Sequence, residues 1–484
     1  MGAIQKKFLL ATILLAAIYL GFVLDLQDFQ FGVRKFLTIT KNACVKIIIS
    51  VYLLGFFFVC NGTDVFAQIN PAPAISPTAT SPTATPDKPV TSTPTITLYG
   101  FIRNDMNYDT RQNFFVREGQ LGLYPKDIDT AGMGGVDVNK KAQLNLLGIL
   151  TRLGVKVSGP DAFGAKTTAV IEGDFFGQAD VNIGLLRLRH GYVKLDWKKS
   201  ALTLGQTWYP LFIPECFPGV VNFNTGIPIA PFGWAAQIKY TAKLGAKTSL
   251  SFTAYKPREF SVPGVSNTET TNSASMNAVL PELNAHLQYK SDALLAGAQL
   301  DFSSIMPYIK YGSNPVKISK ERVNAFTVMA YTKITGKKLS IKAMALLGQN
   351  TAHWVMMGGY YGYKANANAI ETYKPAKSTA AWLEVYSNNK KVSPGLFIGY
   401  TVNGGAADNA TAAYGRMVGV NGRGIKDLFR VAPRLDICSG KLKFGTELEY
   451  TSANYGTRGN NGKVANPTST VHNTRLTFST IFNF

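Results

Sequence analysis

Arginine and carboxylate side chains recur at every second position along several segments of the sequence, a spacing that places side chains on one face of a β-strand. The candidates are Arg103, Asp105, Arg152, Glu172, Asp174, Arg187, Arg189, Arg430 and Arg434. Arginines on one wall with carboxylates facing them would set up a transverse field and a track for anions. The same charges could instead only pair with one another, and the sequence leaves both readings open.

Catalysis is another use of such side chains, and it would require a histidine close to a serine or an aspartate. The sequence contains His190, His286, His353 and His472, of which His353 lies in a predicted long loop beside Trp354. It contains no Gly-x-Ser-x-Gly turn and no histidine and cysteine spacing typical of a metal site. The sequence therefore predicts no enzyme, no cofactor and no metal site, with a barrel hydrolase as the alternative.

The elements that position these residues are predicted to be β-strands. From residue 96 onward, segments of roughly ten residues have apolar side chains at every second position, the pattern of a strand between lipid and water. In the last segment Leu476, Phe478 and Phe482 share one face, whereas Arg475 and Ser479 share the other. The apolar face is expected to contact lipid, and the polar face is expected to line the interior.

Connections between the predicted strands alternate between short and long. The seven short ones are residues 159–161, 198–200, 244–247, 290–292, 335–338, 388–390 and 439–441. Eight longer loops separate the remaining strands, as a closed barrel of about 16 strands requires when both chain ends lie on the periplasmic side. The predicted fold class is therefore all-β: a transmembrane up-and-down antiparallel β-barrel formed by residues 96–484.

The N-terminal region has the features of a cleaved export signal. Lys41 and Lys46 precede an unbroken apolar run, residues 47–59, and a Val-Phe-Ala sequence ends at Ala67. This order of charged, apolar and small residues predicts cleavage after Ala67. Residues 1–67 are therefore interpreted as a signal and targeting region.

Three further features of this region bear on the domain organisation. An additional apolar run, residues 8–24, is either a membrane helix or a sign that the start was assigned too early, so that residues 1–34 are not translated. Cys60 gives the alternative of a lipoprotein site, although the residue before it is not small. Residues 68–95 are rich in Pro, Thr, Ser and Ala and are predicted to be a semi-extended linker.

Composition and charge narrow the choice of partners. Only 16% of the residues are charged while 12% are aromatic, which suits a protein with one surface in lipid and one in water. The formal net charge of +21 indicates anionic partners. Because an exported protein meets no nucleic acid, we expect lipopolysaccharide, outer-membrane lipid and small anionic solutes as partners.

Cys216 and Cys438 lie beyond the signal, and the sequence does not decide between a disulfide and two free thiols.

Residues 213–230 are too apolar for a solvated loop tip. They belong to the third long loop, which is predicted to fold into the barrel and narrow it. Phe217, Asn222, Phe223 and Asn224 are the expected constriction residues. The alternative is that this loop packs on a neighbouring subunit.

Several runs of residues resemble the DcaP-type outer-membrane porins. They are LYGFIR at 98–103, EGDFFG at 172–177, LRLRHGYV at 186–193, GQTW at 205–208 and NFNTG at 222–226. The resemblance implies a homotrimer of 16-stranded barrels that passes small anions such as dicarboxylates, with Arg103, Arg187 and Arg189 on the pore wall. Members of this family often have an N-terminal coiled coil, which the Pro/Thr-rich linker of this chain replaces.

The functional hypothesis is an outer-membrane porin, a passive channel for small hydrophilic solutes that favours anions. A structural or adhesive barrel is the second alternative beside the hydrolase, because several long loops are rich in Asn, Thr, Ala and Gly. The chain ends in Phe484 after alternating apolar residues, which resembles the signal that the barrel-assembly machinery recognises. That machinery is therefore an expected partner.

Overall fold

The computed structural model describes residues 93–132, 134–260, 262, 272–312, 315–366, 369–416 and 422–484. The predicted signal region, and the predicted linker up to residue 92, lie outside the described residues. Within the described part of the chain, no helix is both long enough and apolar enough to cross a membrane. Most of the described residues belong to an antiparallel β-sheet and its loops.

The sheet is built from strands in the following order: β1 (Thr95–Asp109), β4 (Gln143–Leu147), β5 (Arg152–Ser158), β6 (Lys166–Asp174), β7 (Arg187–Asp196), β8 (Ser200–Trp208), β9 (Trp234–Lys243), β10 (Thr248–Pro257), β11 (Glu282–Lys290), β12 (Leu294–Ile305), β15 (Val323–Thr335), β16 (Leu339–Gln349), β19 (Lys377–Ser387), β20 (Val392–Gly405), β22 (Gly424–Ser439), β23 (Leu442–Gly456) and β24 (Ser469–Asn483). The loops contain the short strands β2 (Asn113–Val116), β3 (Leu121–Pro125), β13 (Lys310–Tyr311), β14 (Lys317–Ile318), β17 (Gly359–Tyr363), β18 (Thr372–Pro375) and β21 (Ala412–Gly415). An α-helix, Ser273–Asn277, and two 3₁₀ turns, Asp180–Asn182 and Thr351–Trp354, complete the described elements.

The sheet closes on itself because its first and last strands pair. β1 pairs with β24 from Phe101 opposite Asn483 to Asp109 opposite Arg475. On its other edge β1 pairs with both β4 and β5, so these two strands form one crossing of the barrel that residues 148–151 interrupt. Counting β4 and β5 together, the 17-stranded sheet is a barrel of 16 crossings. The predicted fold class and strand number are confirmed, and all seven predicted short turns connect neighbouring strands.

Exposure of the strand residues is inverted relative to a water-soluble protein. On β24, Phe478 is 41% exposed on the outer face, while Arg475 on the inner face is 1% exposed. Hydrocarbon offers no hydrogen bonds, so apolar side chains face outward and the closed ladder leaves no unpaired strand edge. The chain is an outer-membrane β-barrel whose lipid-facing surface follows the apolar parity of its strands.

The inner face is divided into two kinds of wall. From β22 through β24 and β1 to β7, the inner residues are mostly charged or polar. From β12 to β20 much of the inner face is apolar instead, and the strict alternation expected for every strand is wrong there. The apolar inner residues of this second wall are Leu295, Met329, Tyr331, Met344, Leu346, Trp382 and Phe397. Because they cannot face water favourably, they require a cover, and Leu211, Ile213 and Ile229 of the loop between β8 and β9 provide it.

Candidate functional site

The nine charged residues predicted from the sequence all lie on the inner face of the barrel and are mostly buried. Their six arginines are named here the arginine belt: Arg103, Arg152, Arg187, Arg189, Arg430 and Arg434. Each of them lies within 4 Å of a carboxylate oxygen. The carboxylates therefore lie beside the arginines. Of the two arrangements that the sequence left open, this is the pairing of arginines with carboxylates on the same wall.

The largest group of the belt is on β5, β6 and β7. The register places Arg152 opposite Asp174 and Asp174 opposite Arg187. The Arg187 Nε donates to Asp174 Oδ1 at 2.8 Å, and the Arg189 Nη1 donates to Glu172 Oε1 at 2.6 Å. Arg152 is held more loosely, with nitrogen atoms 3.7 Å from Glu172 and 3.6 Å from Asp174. Three arginines thus share two carboxylates from neighbouring strands.

Aromatic rings lie beside all three of these guanidinium groups, and Arg152 is 4.6 Å from the ring centroid of Phe101. Arg187 lies 4.5 Å from the ring centroids of both Phe176 and Trp234. Arg189 lies 5.0 Å from the centroid of Trp208 and 4.8 Å from that of Trp234. Stacking on a ring suits the planar, weakly hydrated guanidinium group better than it suits an ammonium group. Arg187 and Arg189, each between two rings, are therefore fixed in position by packing as well as by charge.

The other three arginines of the belt are not part of this group. Arg103 pairs with Asp105 at 2.9 Å on β1. Arg434 pairs with Glu384 at 2.7 Å, and Arg430 lies 3.3 Å from a carboxylate oxygen of Glu449. Two strands, β23 and β24, separate β22 from β1 in the ring, so Arg430 and Arg434 belong to a different part of the wall.

Residues 209–233, between β8 and β9, lie inside the barrel. The backbone N–H groups of Val221 and Asn222 donate to Glu447 at 2.6 and 3.3 Å, and that of Gly219 donates to Glu384 at 2.9 Å. The side chain of Asn224 donates to Glu449 at 2.7 Å. Arginines approach the same segment, since Arg103 donates to the Val221 carbonyl and Arg430 to the Ile227 carbonyl, both at 2.6 Å.

The four predicted constriction residues all belong to this segment, with Asn222 and Asn224 fully buried. Phe223 lies 5.8 Å beneath the Arg103 guanidinium, and the Phe217 carbonyl accepts a hydrogen bond from Lys342 at 2.9 Å. Carboxylates of the wall thus bind backbone donors of the segment, while cations of the wall bind its carbonyl groups.

A second segment, the β2–β3 hairpin, also lies inside the barrel, and the sequence analysis did not predict it. The β2–β3 hairpin lies against the inner wall, with the Leu123 carbonyl accepting from Arg430 at 2.7 Å and the Gly119 carbonyl accepting from Arg475 at 2.9 Å. Tyr455 donates to the Pro125 carbonyl at 2.7 Å. The signal was present, because LGLY at 121–124 is as apolar as the segment that was recognised.

Two further charged residues of the interior were also missed as site residues. Glu259, just after β10, forms ion pairs with Arg117 and Arg187. Burial raises the pKa of Glu259, while the two guanidinium groups act in the opposite direction. Arg475 on β24 donates to both oxygens of Asp109 at 2.8 Å. Glu259 follows a proline at the end of a strand, so its side chain could not be placed by strand parity.

The end of the barrel that carries the short turns holds a cavity of about 700 Å³. Four lysines line it, Lys243, Lys247, Lys290 and Lys333, and we name this region the lysine vestibule. Polar side chains such as Gln288 and hydroxyl groups from the turns complete the lining. Sequence reasoning did not select these lysines, because they come from the ends of three strands, β9, β11 and β15, and from one turn, and nothing in the sequence brings them together.

The histidine considered for catalysis is buried in the wall of the loops. The Nε2 of His353 lies 3.0 Å from the Oε2 of Glu282, and its Nδ1 lies 3.1 Å from the Asn350 carbonyl. Both ring nitrogens are therefore engaged by neighbours other than a serine. Among the residues that the structure describes, no group of three His, Cys, Asp or Glu side chains could hold a metal ion.

Cys216 and Cys438 are both free thiols in the structure. The Cys216 thiol donates to the Thr332 carbonyl at 3.3 Å and is buried under the loop segment. This burial raises the pKa of the Cys216 thiol to about 12. Cys438 is half-buried near the turn end of β22.

Comparison with solved structures identifies the fold. The chain is similar to the outer membrane channel DcaP of Acinetobacter baumannii, with 18% identity over 81% of this chain and 97% of that chain, and a TM-score of 0.59. It is also similar to an anion-selective porin from Comamonas acidovorans, with 11% identity over 81% of this chain and 100% of that one, and a TM-score of 0.50. No protein-family model and no curated protein matches the sequence. The predicted resemblance to DcaP-type channels is confirmed at the level of the fold.

Proposed function

We propose that this porin-type barrel is a passive diffusion channel for small hydrophilic solutes that prefers anions such as dicarboxylates. The observation that carries the proposal is the polar inner wall, in which more than a dozen Arg, Lys, Asp and Glu side chains are enclosed by a sheet whose outside faces lipid. Ionised groups are costly to enclose in a dry interior. Enclosing so many charges supports an interior that holds water beside the wall, and the exposed lysines at the turn end of the barrel would be where solutes enter it.

The anion preference is supported by the charge of the chain. Removal of residues 1–67 takes away six Lys/Arg and three Asp/Glu, so the formal net charge falls from +21 to +18 in the exported protein. This excess would give a positive potential near the mouths of the barrel, which raises the local concentration of anions. Charged side chains that line a channel select the ion of opposite sign. The segment 209–233, with Phe217, Asn222, Phe223 and Asn224, would narrow the route, and the arginine belt would line it beside that segment.

The expected partners follow from the same proposal. The outer face would bind outer-membrane lipid and lipopolysaccharide, and the last strand ending at Phe484 would be recognised by the barrel-assembly machinery. A homotrimer is the proposed assembly, because it is what the resemblance to DcaP-type porins implies.

We further propose that residues 1–67 are removed on export and that residues 68–95 are a linker. Mass spectrometry of the exported protein would then find Gln68 at its N-terminus.

The proposal is tested by refolding the protein and inserting it into a planar bilayer under a KCl gradient. Discrete conductance steps with a reversal potential on the chloride side are the expected result. Protein that was never folded, added at the same detergent concentration, is the control. If protein shown to be folded and inserted gives no steps, the channel function is wrong. Steps with a reversal potential on the potassium side would remove the anion preference only.

A further inference from the structure

The lysine vestibule differs from the rest of the inner wall in how its charges are compensated. Lys290 pairs with Glu215 at 2.7 Å, and Lys243 pairs with Asp196 at 2.6 Å. All four side chains are more than a third exposed. Exposed pairs of this kind contribute little to stability. Lys247 and Lys333 form no ion pair with any described residue of the barrel.

The arrangement of the lysines adds to this excess of positive charge. Lys333 lies directly opposite Lys342 on the neighbouring strand, a position where like charges destabilise a sheet. Lys342 is compensated by Glu384 at 3.1 Å, which leaves Lys333 facing the cavity. The four lysines are opposed by two carboxylates of the described lining, Glu215 and Asp292, and by Asp196 beside it, which Lys243 shares with Lys194. The vestibule therefore has an unbalanced positive charge.

We propose that the lysine vestibule is a binding site for small multivalent anions, a proposal that assumes the channel function proposed above. A cavity of about 700 Å³ is large enough for such a ligand together with its water. Lysine ammonium groups are flexible point charges without the planar fork of arginine. The site therefore recognises the charge of the ligand rather than its shape, and carboxylates and phosphates bind alike.

Glu215 connects this site to the loop segment inside the barrel. It belongs to residues 209–233, and its carboxylate occupies one of the positions that an anion would take at Lys290. A bound anion competes with Glu215 for Lys290 and displaces it. Removing the Glu215 charge must therefore strengthen anion binding, whereas removing lysine charges must weaken it. These two effects have opposite signs, so a general loss of folding cannot produce both.

The test is calorimetric titration of the refolded, full-length protein with citrate, repeated with inorganic phosphate. The double variant Lys290→Gln with Lys333→Gln is expected to bind citrate about fivefold or more weakly, and Glu215→Gln about threefold more tightly. The matched control is Lys364→Gln with Lys374→Gln, which removes the same charge from exposed loop residues at the other end of the barrel. That control is expected to bind citrate as the unmodified protein does.

Conductance of the same samples is recorded in bilayers, so that binding and channel function are judged separately. Equal citrate affinity in the unmodified protein and the double lysine variant overturns the binding site, whatever the conductance. Weaker binding in Glu215→Gln overturns the competition and the site with it. Citrate binding that depends on the lysines, in protein without conductance, supports the site and overturns the channel function.

Discussion

The arginine belt and the lysine vestibule lie on the same inner wall and have the same sign of charge, but the wall compensates their charges differently. Arg187 is 4% exposed, is bonded to Asp174 and Glu259 and is packed between two aromatic rings. Lys333, by contrast, has no carboxylate partner among the described residues and faces a cavity. A buried charge that is already paired contributes a rigid structure and little net field. An unpaired, hydrated charge contributes little structure and most of the field.

This difference changes how a charged wall is interpreted. Sequence parity placed the arginines correctly on the inner face, and the resemblance to known channels added weight to them. Their carboxylate neighbours, which parity also placed on that face, neutralise much of their effect. Two members of the arginine belt, Arg103 and Arg430, hydrogen-bond the loop segments and help to position them. We propose that most of the anion preference comes from the lysine vestibule.

The largest difference between the two regions is expected in stability. Replacing Asp174 by Ala removes the buried carboxylate that Arg152, Arg187 and Arg189 share, and Glu259 alone remains beside Arg187. This loss is expected to lower the free energy of unfolding by about 3–5 kcal/mol. Replacing Asp196 by Ala, beside the vestibule lysine Lys243, is expected to cost less than about 1 kcal/mol because this pair is exposed to water. Urea unfolding in detergent micelles measures both. Equal losses would contradict the distinction between the two regions.

Exchanging arginine for lysine in the arginine belt, and lysine for arginine in the lysine vestibule, tests whether the two regions differ in what their side chains do. The double variant Arg187→Lys with Arg189→Lys keeps the charge but loses the planar fork and the ring stacking, so stability is expected to fall by about 2 kcal/mol. Its reversal potential is expected to stay unchanged. Lys290→Arg with Lys333→Arg is the matched variant of the vestibule, and it is expected to change neither quantity. A shift of the reversal potential in the arginine variant would show that the arginine belt, and not the lysine vestibule, determines the anion preference.

The reactivity of the two free thiols distinguishes a packed region, where Cys216 is buried under the loop segment, from a more open one, where Cys438 is half-buried. Thiolate is the reactive form, and burial raises the pKa of Cys216 to about 12, so reaction of this thiol with maleimide at neutral pH is expected to be negligible. Its rate is expected to rise only as the pH approaches that pKa. Cys438, half-buried at the turn end, is expected to be labelled. The variants Cys216→Ala and Cys438→Ala identify the site by mass spectrometry, and rapid labelling of Cys216 in folded protein would show that the loop segment opens.

The smallest expected effect is that of salt on the anion preference. The screening length falls from about 10 Å near 0.1 M salt to about 3 Å near 1 M salt, and exposed charges are screened most. The ratio of anion to cation permeability is therefore expected to decrease with salt in the unmodified protein. In the Lys290→Gln, Lys333→Gln variant it is expected to vary much less. If the permeability ratio of the variant still depended steeply on salt, charges other than these lysines would produce the electrostatic field that selects anions.

Strands, turns and the two faces of most strands could be predicted because they depend on local patterns. Two-residue alternation and short turns are readable from neighbouring residues, and they gave the barrel and the inner position of all nine charged residues. The apolar character of residues 213–230 also pointed to an interior segment.

The remaining features depend on residues far apart in the sequence. The β2–β3 hairpin lies in the barrel because Arg430 and Arg475, more than 300 residues away, bind its carbonyl groups. The pairing of each arginine depends on the register of neighbouring strands, which alternation alone does not fix. The vestibule lysines come from separate strands and turns that only the closed barrel brings together.

The most direct test of this account is the reversal potential under one KCl gradient of the unmodified protein and of the Lys290→Gln, Lys333→Gln variant. The account predicts a chloride-selective potential for the unmodified protein and a shift toward zero in the variant, with conductance steps preserved in both. An unchanged chloride-selective potential in a folded, conducting variant would contradict the assignment of the anion preference to the lysine vestibule.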